Sequence, residues 1–133
     1  MKVLQPGHWA RPRGYVNGIA ARGTLVALAG QVGWLSDHSW PSDDVGDQVL
    51  QALKNIRELL AEAGGTPQHI VRLNLYVRDR ADYFAHGKQV GTAFREILGD
   101  HRPPVTAVEV QNLMVDEAKV EIEALAVIPD RTQ

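Results

Sequence analysis

The clearest hydrophobic pattern in the chain is that of an amphipathic helix between positions 45 and 63. Apolar residues recur there at helical spacing, and the positions between them are mostly charged or polar. Ser42 or Asp43 can cap the start of this helix, and Gly64-Gly65 is expected to end it. The pattern predicts about five helical turns with one buried face.

A second helix is predicted over residues 81 to 98. The side chains expected to point inward are Phe84, Val90, Phe94, Ile97 and Leu98. Gly87 and Gly91 fall on the same stripe, and each costs about 1 kcal/mol relative to alanine in a helix. Close packing of this helix onto a sheet would account for both glycines.

Shorter apolar segments predict strands around the two helices. A short strand is expected after residue 14, followed by a hairpin turn at Arg22-Gly23. Residues 24–34 are apolar on both faces of the predicted strand, which is typical of a strand in the centre of a sheet. Residues 70–78 alternate, with an inward row of Val71, Leu73, Leu75 and Val77. Two last strands flank the short connector 114–117, so a hairpin is expected there.

The resulting order is β-β-α-β-α-β-β, after an irregular arm over residues 1–14. Two helices cannot cover both faces of such a sheet, so they are expected to lie on one face of a mixed sheet. The pattern predicts an α+β fold and a single domain over residues 1–133.

The face of the sheet away from the helices is predicted to be mixed in character. Glu121 and Glu123 interrupt the last strand, K-V-E-I-E-A-L-A-V, on the side opposite its core residues. The other residues expected on this face are Arg72, Asn74, Tyr76, Val105, Glu109, Gln111, Leu125 and Val127. Mixed character is typical of a subunit interface with a few placed polar groups, which predicts a homo-oligomer with clefts between subunits. From spacing alone, the favoured interpretation is that both acids are solvated or ion-paired.

Composition narrows the chemistry. The chain has 133 residues, a net charge of −2 and no cysteine, so thiolate catalysis, disulfides and Cys-ligated metals are excluded. The charge gives no reason to expect nucleic acid, and no apolar run has the length of a membrane span or a signal peptide. The five histidines lack metal-ligand spacing. A cytoplasmic, soluble protein is expected, and none of these features calls for a metal or a cofactor.

Four stretches, in order, carry a resemblance to a known family. They are G-Y-V-N-G-I at 14–19, L-A-G-Q-V-G at 28–33, the helix and strand beginning Q-A-L-K-N-I at 51, and P-P-V-T-A-V-E-V with K-V-E-I-E-A-L-A-V at the end. Together they resemble the RidA/YjgF family of enamine and imine deaminases over nearly the full chain. The resemblance implies a chorismate-mutase-like subunit and a homotrimer whose sheets form a central barrel, with three clefts between neighbouring subunits.

The resemblance also implies which residues form the site. The backbone at Gly30 is expected in the cleft, where it or Gln31 can orient the substrate. Tyr15 is expected to line the cleft and to donate a hydrogen bond, and Glu121 is expected to position and deprotonate water.

The chain departs from the family pattern where the family carries an arginine that clamps the substrate carboxylate. That position is Val105 here, the neighbouring small position is Ala107, and a frequent asparagine falls at Gly87. Valine cannot replace the bidentate recognition of an arginine fork. The chain therefore resembles a divergent member of the family, and a non-standard substrate is expected for it.

Other residues can compensate for the missing charge or reshape the cleft. Arg13, two residues from Tyr15, is the preferred candidate for the missing cation, ahead of Arg102. Trp34 can line the cleft and favour a larger or more apolar substrate, but ordinary packing is the preferred explanation of a tryptophan here.

The predicted function is hydrolysis of a small reactive enamine or imine with release of ammonia, with an aminomuconate-like enamine as one substrate class. The alternative is a non-catalytic protein that binds or responds to a small molecule. A ribonuclease activity is disfavoured by the negative net charge and by the lack of a basic, aromatic stripe.

Overall fold

The computed structural model describes residues 1–130, so the last three positions of the expected domain lie outside the described residues. The strands are β1 (Lys2–Leu4), β2 (Gly18–Ala20), β3 (Thr24–Ala27), β4 (Gln31–Val32), β5 (Ile70–Val77), β6 (Val105–Glu109) and β7 (Val120–Ile128). The helices are α1 (Val45–Glu62), α2 (Arg80–Ala85) and α3 (Gly87–Leu98), with a 3-10 turn at Pro67–His69. The fold is a mixed α+β arrangement, as predicted.

The main sheet has the strand order β3-β7-β5-β6, and β4 also pairs with β7. Strands β3, β4 and β5 run antiparallel to β7, whereas β6 runs parallel to β5. The predicted hairpin of the last two strands is therefore wrong, because β5 lies between them. A parallel partner needs a crossover connection, and α2 and α3 provide it between β5 and β6.

The first strands also differ from the prediction. Strand β2 pairs with β1 in a separate two-stranded ribbon, so Arg22-Gly23 does not close a hairpin between β2 and β3, and the arm is partly regular. Strand β3 lies at the sheet edge with Leu25 64% exposed, and the chain breaks from strand geometry before β4. The expected central strand is thus an interrupted edge, because β5 and β7 occupy the middle of the sheet.

Helix α1 agrees closely with its predicted span. Its N-cap is Asp44 and not the predicted Ser42 or Asp43. The Asp44 side chain accepts a hydrogen bond from the backbone N–H of Asp47. Ser42 supports the cap by accepting from the Asp44 N–H at 3.0 Å. The helix ends as predicted, because Gly64 takes a φ of 76° that favours glycine. Within residues 1–130, no helix combines the length and the apolar composition needed to cross a bilayer.

The core lies between the inner faces of β5 and β7 and the helices α1 and α3. Its fully buried large side chains include Val49, Leu53, Ile56, Leu60, Ile70, Leu73, Leu75, Leu98 and Ile122. Each such side chain stabilises the fold by about 1.5–3 kcal/mol relative to leaving it exposed. The predicted inward row of β5 fails at Val71, because a register shift between Ile70 and Arg72 makes Ile70 the buried residue.

The second predicted helix is divided at His86 into α2 and α3. Phe84 was expected inside but is 69% exposed, because it lies on α2, which has no buried residues. Close packing does not explain the glycines of α3. A β-carbon placed on Gly87 would meet nothing within 4 Å, and one on Gly91 would meet only the Arg95 guanidinium, at 3.4 Å. Both glycines border open space.

The predicted phase of β6 is wrong. In its parallel register Val105 lies beside Leu73, a core residue, and Val105 itself packs against the core. Glu109, in the same row, accepts a hydrogen bond at 2.7 Å from the backbone N–H of Arg80 at the start of α2. Val105 and Glu109 therefore lie on the helix face, and Thr106 lies on the open face. Valines occur in both rows of this strand, so its own alternation cannot determine which row faces the helices.

Candidate functional site

Glu121 lies on the open face of β7 with its carboxylate against the backbone of Gly30. A β-carbon placed on Gly30 would lie 2.8 Å from Cδ of Glu121, with Oε2 nearer still. Gly30 occupies the break between β3 and β4, and β4 then returns to place Val32 beside Glu121. Any side chain at position 30 would therefore displace the acid.

Glu123 projects from the same strand to the same face but is held by its neighbours. The Tyr76 hydroxyl donates to its Oε1 at 2.5 Å, and the Asn74 amide donates to the same oxygen at 3.0 Å. Arg72 Nε in turn donates to Asn74 Oδ1 at 3.1 Å. The Tyr76 and Asn74 hydrogen bonds lower the pKa of Glu123, and the bond to Glu123 raises the pKa of Tyr76. These contacts identify Glu123 as part of a structural polar cluster.

Glu121 has no such cluster around it. Its neighbour across the strand pair is Tyr76, whose hydroxyl is used by Glu123. Among residues 1–130, no hydrogen bond reaches the Glu121 carboxylate. Its two oxygens can therefore accept from a water molecule or a ligand without breaking an existing contact.

Tyr15 lies in a different place, in a cavity of about 360 Å³ on the helix side of the sheet. The backbone N–H of Val16 donates to the carbonyl oxygen of Pro103, which ties the arm to the segment before β6. The cavity lining includes Tyr15, Tyr83, Gly87, Phe94, Arg102 and Val105. Tyr15 and Val105 were both predicted site residues, and this cavity brings them together with Gly87.

The cations of this cavity differ from the predicted one. Arg13 lies exposed on the arm and, in the part of the chain that is described, does not line the cavity, whereas Arg95 and Arg102 do. The sequence had made Arg102 the second candidate, after Arg13, for the cation that replaces the family arginine. Arg95 was missed, although its position one turn after Gly91 on the same helix placed it near the predicted glycine stripe.

The remaining predicted residues lie elsewhere. Gln31 pairs beside the core residue Ile122 and shares a groove of about 530 Å³ along α1 with Trp34. Trp34 stacks on His38 with ring centroids 3.7 Å apart. Ala107 is exposed on β6, in the same row as Val105. Apart from Arg13 and Ala107, the predicted site residues are thus divided among the open face, the Tyr15 cavity and this groove.

A single chain keeps Glu121 and the Tyr15 cavity apart. Val105 lies level with Ala124, and Glu121 lies three residues further along β7. That separation is about 10 Å along the strands and about 10 Å across them, on opposite faces of the sheet. A site that uses both groups therefore requires a second copy of the chain.

No group of three or more His, Asp or Glu side chains arranged to hold a metal ion occurs among residues 1–130. The chemistry available to the two regions is that of a carboxylate, a phenol and guanidinium groups.

Comparison with known proteins matches residues 9–128 to the family model described as endoribonuclease L-PSP. The chain is 37% identical over 84 residues to the mitochondrial protein mmf1 of Schizosaccharomyces pombe, and it spans about half of that protein, 49%. It is 30% identical over 116 residues to the 2-iminobutanoate/2-iminopropanoate deaminase of Salmonella typhimurium, covering 85% of this chain and 86% of the relative.

Solved structures give the same grouping. The crystal structure of YyfB from Yersinia pestis, a protein of unknown function of the conserved Rid family, superposes with a TM-score of 0.80. The two proteins are 29% identical, and the match covers 96% of this chain and 98% of the other.

Proposed function

The chain belongs to the RidA/YjgF family, whose model is described as endoribonuclease L-PSP. We propose that it hydrolyses a small enamine or imine with release of ammonia. The Salmonella relative, which aligns over most of both chains, is named as a deaminase of 2-imino acids. That relationship supports the reaction class. The substrate proposed for this chain is a non-standard one, because Val105 stands where the family carries its arginine, and an aminomuconate-like enamine is one such class.

The proposed site forms between copies of the chain, in a homotrimer. Glu121 of one copy faces the Tyr15 cavity of its neighbour, which supplies the two groups that a single chain keeps apart. The open face supports this assembly, because Leu125 and the exposed Leu25 lie on adjacent strands near the polar cluster. Apolar side chains mixed with a few polar groups are typical of protein interfaces.

The proposed reaction needs one base and one hydrogen-bond donor. Glu121 accepts a proton from water while the water oxygen attacks the imine carbon, and the C=N π electrons move to nitrogen, which takes that proton from Glu121. In the collapse of the carbinolamine, Glu121 accepts the hydroxyl proton as the C=O bond forms. The C–N bond breaks with its electrons going to nitrogen, which takes this proton from Glu121 and departs as ammonia. Tyr15 donates a hydrogen bond to the substrate. A general base such as Glu121 contributes a factor of about 10²–10⁴ to the rate.

The contact between Gly30 and Glu121 is the observation that carries this proposal. Among residues 1–130 the Glu121 carboxylate has no hydrogen-bond partner, and it packs directly against a backbone that carries no side chain. A structural acid is instead expected to be satisfied by its surroundings, as Glu123 is.

The test is ammonia release from 2-imino acids generated in the assay by an amino acid oxidase, and from an aminomuconate-like enamine. Glu121→Ala is expected to lower the rate by about 10²-fold or more. Glu96→Ala, which removes an exposed acid from α3, serves as the matched control and is expected to behave as the unmodified protein. Equal rates for Glu121→Ala and the unmodified protein would exclude Glu121 from the reaction.

The second candidate function is binding without catalysis, and the specific observation in its favour is Val105 in place of arginine. A protein of this kind would keep the cavity and lose turnover. A rise in Tm with 2-oxo or 2-imino acids, without ammonia release above the uncatalysed rate, would favour this alternative.

A further inference from the structure

Arg102 presents a preorganised guanidinium group to the Tyr15 cavity. Its Nη1 donates to the carbonyl oxygens of Gly99 at 2.7 Å and of His101 at 2.9 Å. Both contacts are with backbone of the turn that leads into β6, so the fold holds the guanidinium in position. Among residues 1–130, Nη2 and Nε of Arg102 have no hydrogen-bond partner, and together they form a fork that suits a carboxylate.

Arg95 brings a second guanidinium group to the same cavity from α3. Its Nη1 lies over Gly91, 3.4 Å from where a β-carbon on that glycine would be. Its Nη2 is 3.3 Å from the hydroxyl of Thr92, which is a weak contact by distance. The absence of a side chain at Gly91 lets this guanidinium lie close to the helix and reach the cavity.

The charge of the two arginines is not compensated within the described chain. Over residues 1–130 neither arginine forms a salt bridge, and no Asp or Glu lines the cavity. The other walls are largely apolar and include Val90 and Phe94. Burial raises the pKa of the Tyr83 phenol, another wall residue, which is consistent with a poorly hydrated surface. A pair of unpaired guanidinium groups on apolar walls fits an anion with an apolar body.

The cavity also has room beyond the arginines. Nothing lies within 4 Å of a β-carbon placed on Gly87, at the start of α3. A volume of about 360 Å³ falls within the usual size of small-molecule sites. The space left by Gly87 and the face of Phe94 can therefore accommodate a bulky side chain.

We propose that Arg102, assisted by Arg95, binds the carboxylate of the substrate in place of the arginine that is absent at position 105. The substrate is then a 2-imino acid with an aromatic or branched apolar side chain, packed against Phe94 and over Gly87. The carboxylate site moves from the first residue of β6 to the turn just before it. The imine in this assignment rests on the proposed function, whereas the binding of a bulky carboxylate does not.

The test measures binding of stable 2-oxo acids by calorimetry, with phenylpyruvate as the bulky probe, pyruvate as the small one and muconate as a dicarboxylate. The protein is the full chain carrying Glu121→Ala, so a failure of catalysis leaves this measurement intact. Phenylpyruvate is expected to bind about 10-fold more tightly than pyruvate, because its ring buries apolar surface. Pyruvate binding as tightly as phenylpyruvate, or muconate binding more tightly, would overturn the assigned substrate class.

Variants then test the two parts of the cavity. Arg102→Ala is expected to weaken phenylpyruvate binding about 10–100-fold, and Arg102→Lys less, because a hydrogen-bonded charge contact is worth about 1.5–3 kcal/mol. Arg57→Ala removes an exposed arginine of α1 away from the cavity and is the matched control. Gly87→Leu is expected to weaken phenylpyruvate binding about 10-fold and to change pyruvate binding less than about 2-fold.

The Tm of each variant shows whether the fold is retained, and Arg102→Lys keeps the test valid if Arg102→Ala unfolds. Unchanged phenylpyruvate affinity in folded Arg102→Lys and Arg102→Ala proteins would overturn the carboxylate assignment. Equal losses for both probes in Gly87→Leu would overturn the assigned place of the side chain.

Discussion

Glu121 and Glu123 are two residues apart on one strand and face the same side of the sheet, yet their surroundings differ. Glu123 accepts hydrogen bonds from Tyr76 and Asn74. Glu121 lies against the bare backbone of Gly30 and is reached by no hydrogen bond among residues 1–130. The first environment uses the charge to hold two strands together, and the second leaves the charge available to a ligand.

This contrast shows why identical residue types on one face of a strand need separate explanations. The deciding feature is the neighbouring strand. Strand β5 supplies donors at Asn74 and Tyr76, whereas the break before β4 supplies a glycine. The contrast predicts that changes at Glu121 affect catalysis and that changes at Glu123 affect stability.

The largest effect is expected from exchanging each acid for its amide. Glu121→Gln should lower kcat by about 10²–10⁴ with little change in unfolding free energy, because it removes a base that has no hydrogen-bond partner among residues 1–130. Glu123→Gln should change kcat less than about 3-fold and lower the unfolding free energy by about 1 kcal/mol, because the bond from Tyr76 loses its charged acceptor. Ammonia release and urea unfolding measure the two quantities, and the opposite assignment of effects would contradict the comparison.

A smaller effect on activity is expected from Gly30→Ala. The added β-carbon would occupy the position of the Glu121 carboxylate, and misplacing a catalytic group by about 1 Å can cost about 10²-fold in rate. Gly7→Ala is the matched control, because a β-carbon there meets nothing within 4 Å. Full activity of Gly30→Ala would show that the position of Glu121 beside this backbone does not matter.

A change in stability alone is expected from Tyr76→Phe. It removes the hydroxyl that donates to Glu123 and should lower the unfolding free energy by about 1 kcal/mol, the usual net value of one hydrogen bond. Tyr15→Phe, which changes an exposed phenol outside the cluster, should leave the unfolding free energy within about 0.5 kcal/mol. Equal losses of stability in urea unfolding would count against a special role of the cluster.

The smallest effect is expected in the acid range. The pKa of Glu123 lies below its ordinary value of 4.5 in the folded chain, so its contribution to stability is present above that pH. The contribution is lost as the pH falls through the folded pKa. The Tyr76→Phe chain should therefore show a smaller loss of stability between pH 6 and about pH 3 than the unmodified chain, as measured by urea unfolding at each pH.

The elements that could be predicted from the sequence are those in which apolar residues recur with one clear period, namely α1 and the buried row of β7. The phase of β6 was not, because valines occupy both of its rows and only pairing with β5 decides between them. The same pairing puts Val105 on the helix face. The grouping of Gly30 with Glu121 followed from the family resemblance, and the structure shows its steric reason.

The cations of the Tyr15 cavity were the least predictable part of the site. Arg95 and Arg102 line one cavity because α2 and α3 connect β5 to β6 and the segment before β6 lies beside the arm. Arg13 is closer to Tyr15 in sequence, but proximity along the chain does not determine which way an arm residue points. Local patterns carry no information about such a crossover.

The central claim is that Glu121 of one copy acts as the general base for a substrate bound in the Tyr15 cavity of another copy. The direct test uses two chains that are each expected to be impaired, Glu121→Ala and Tyr15→Phe, mixed in equal amounts, unfolded and refolded together. Random assembly into rings gives about one quarter of sites with both intact groups, so about a quarter of the unmodified activity is predicted. Mixed assemblies verified by mass spectrometry that show no activity above the separate variants would contradict the account.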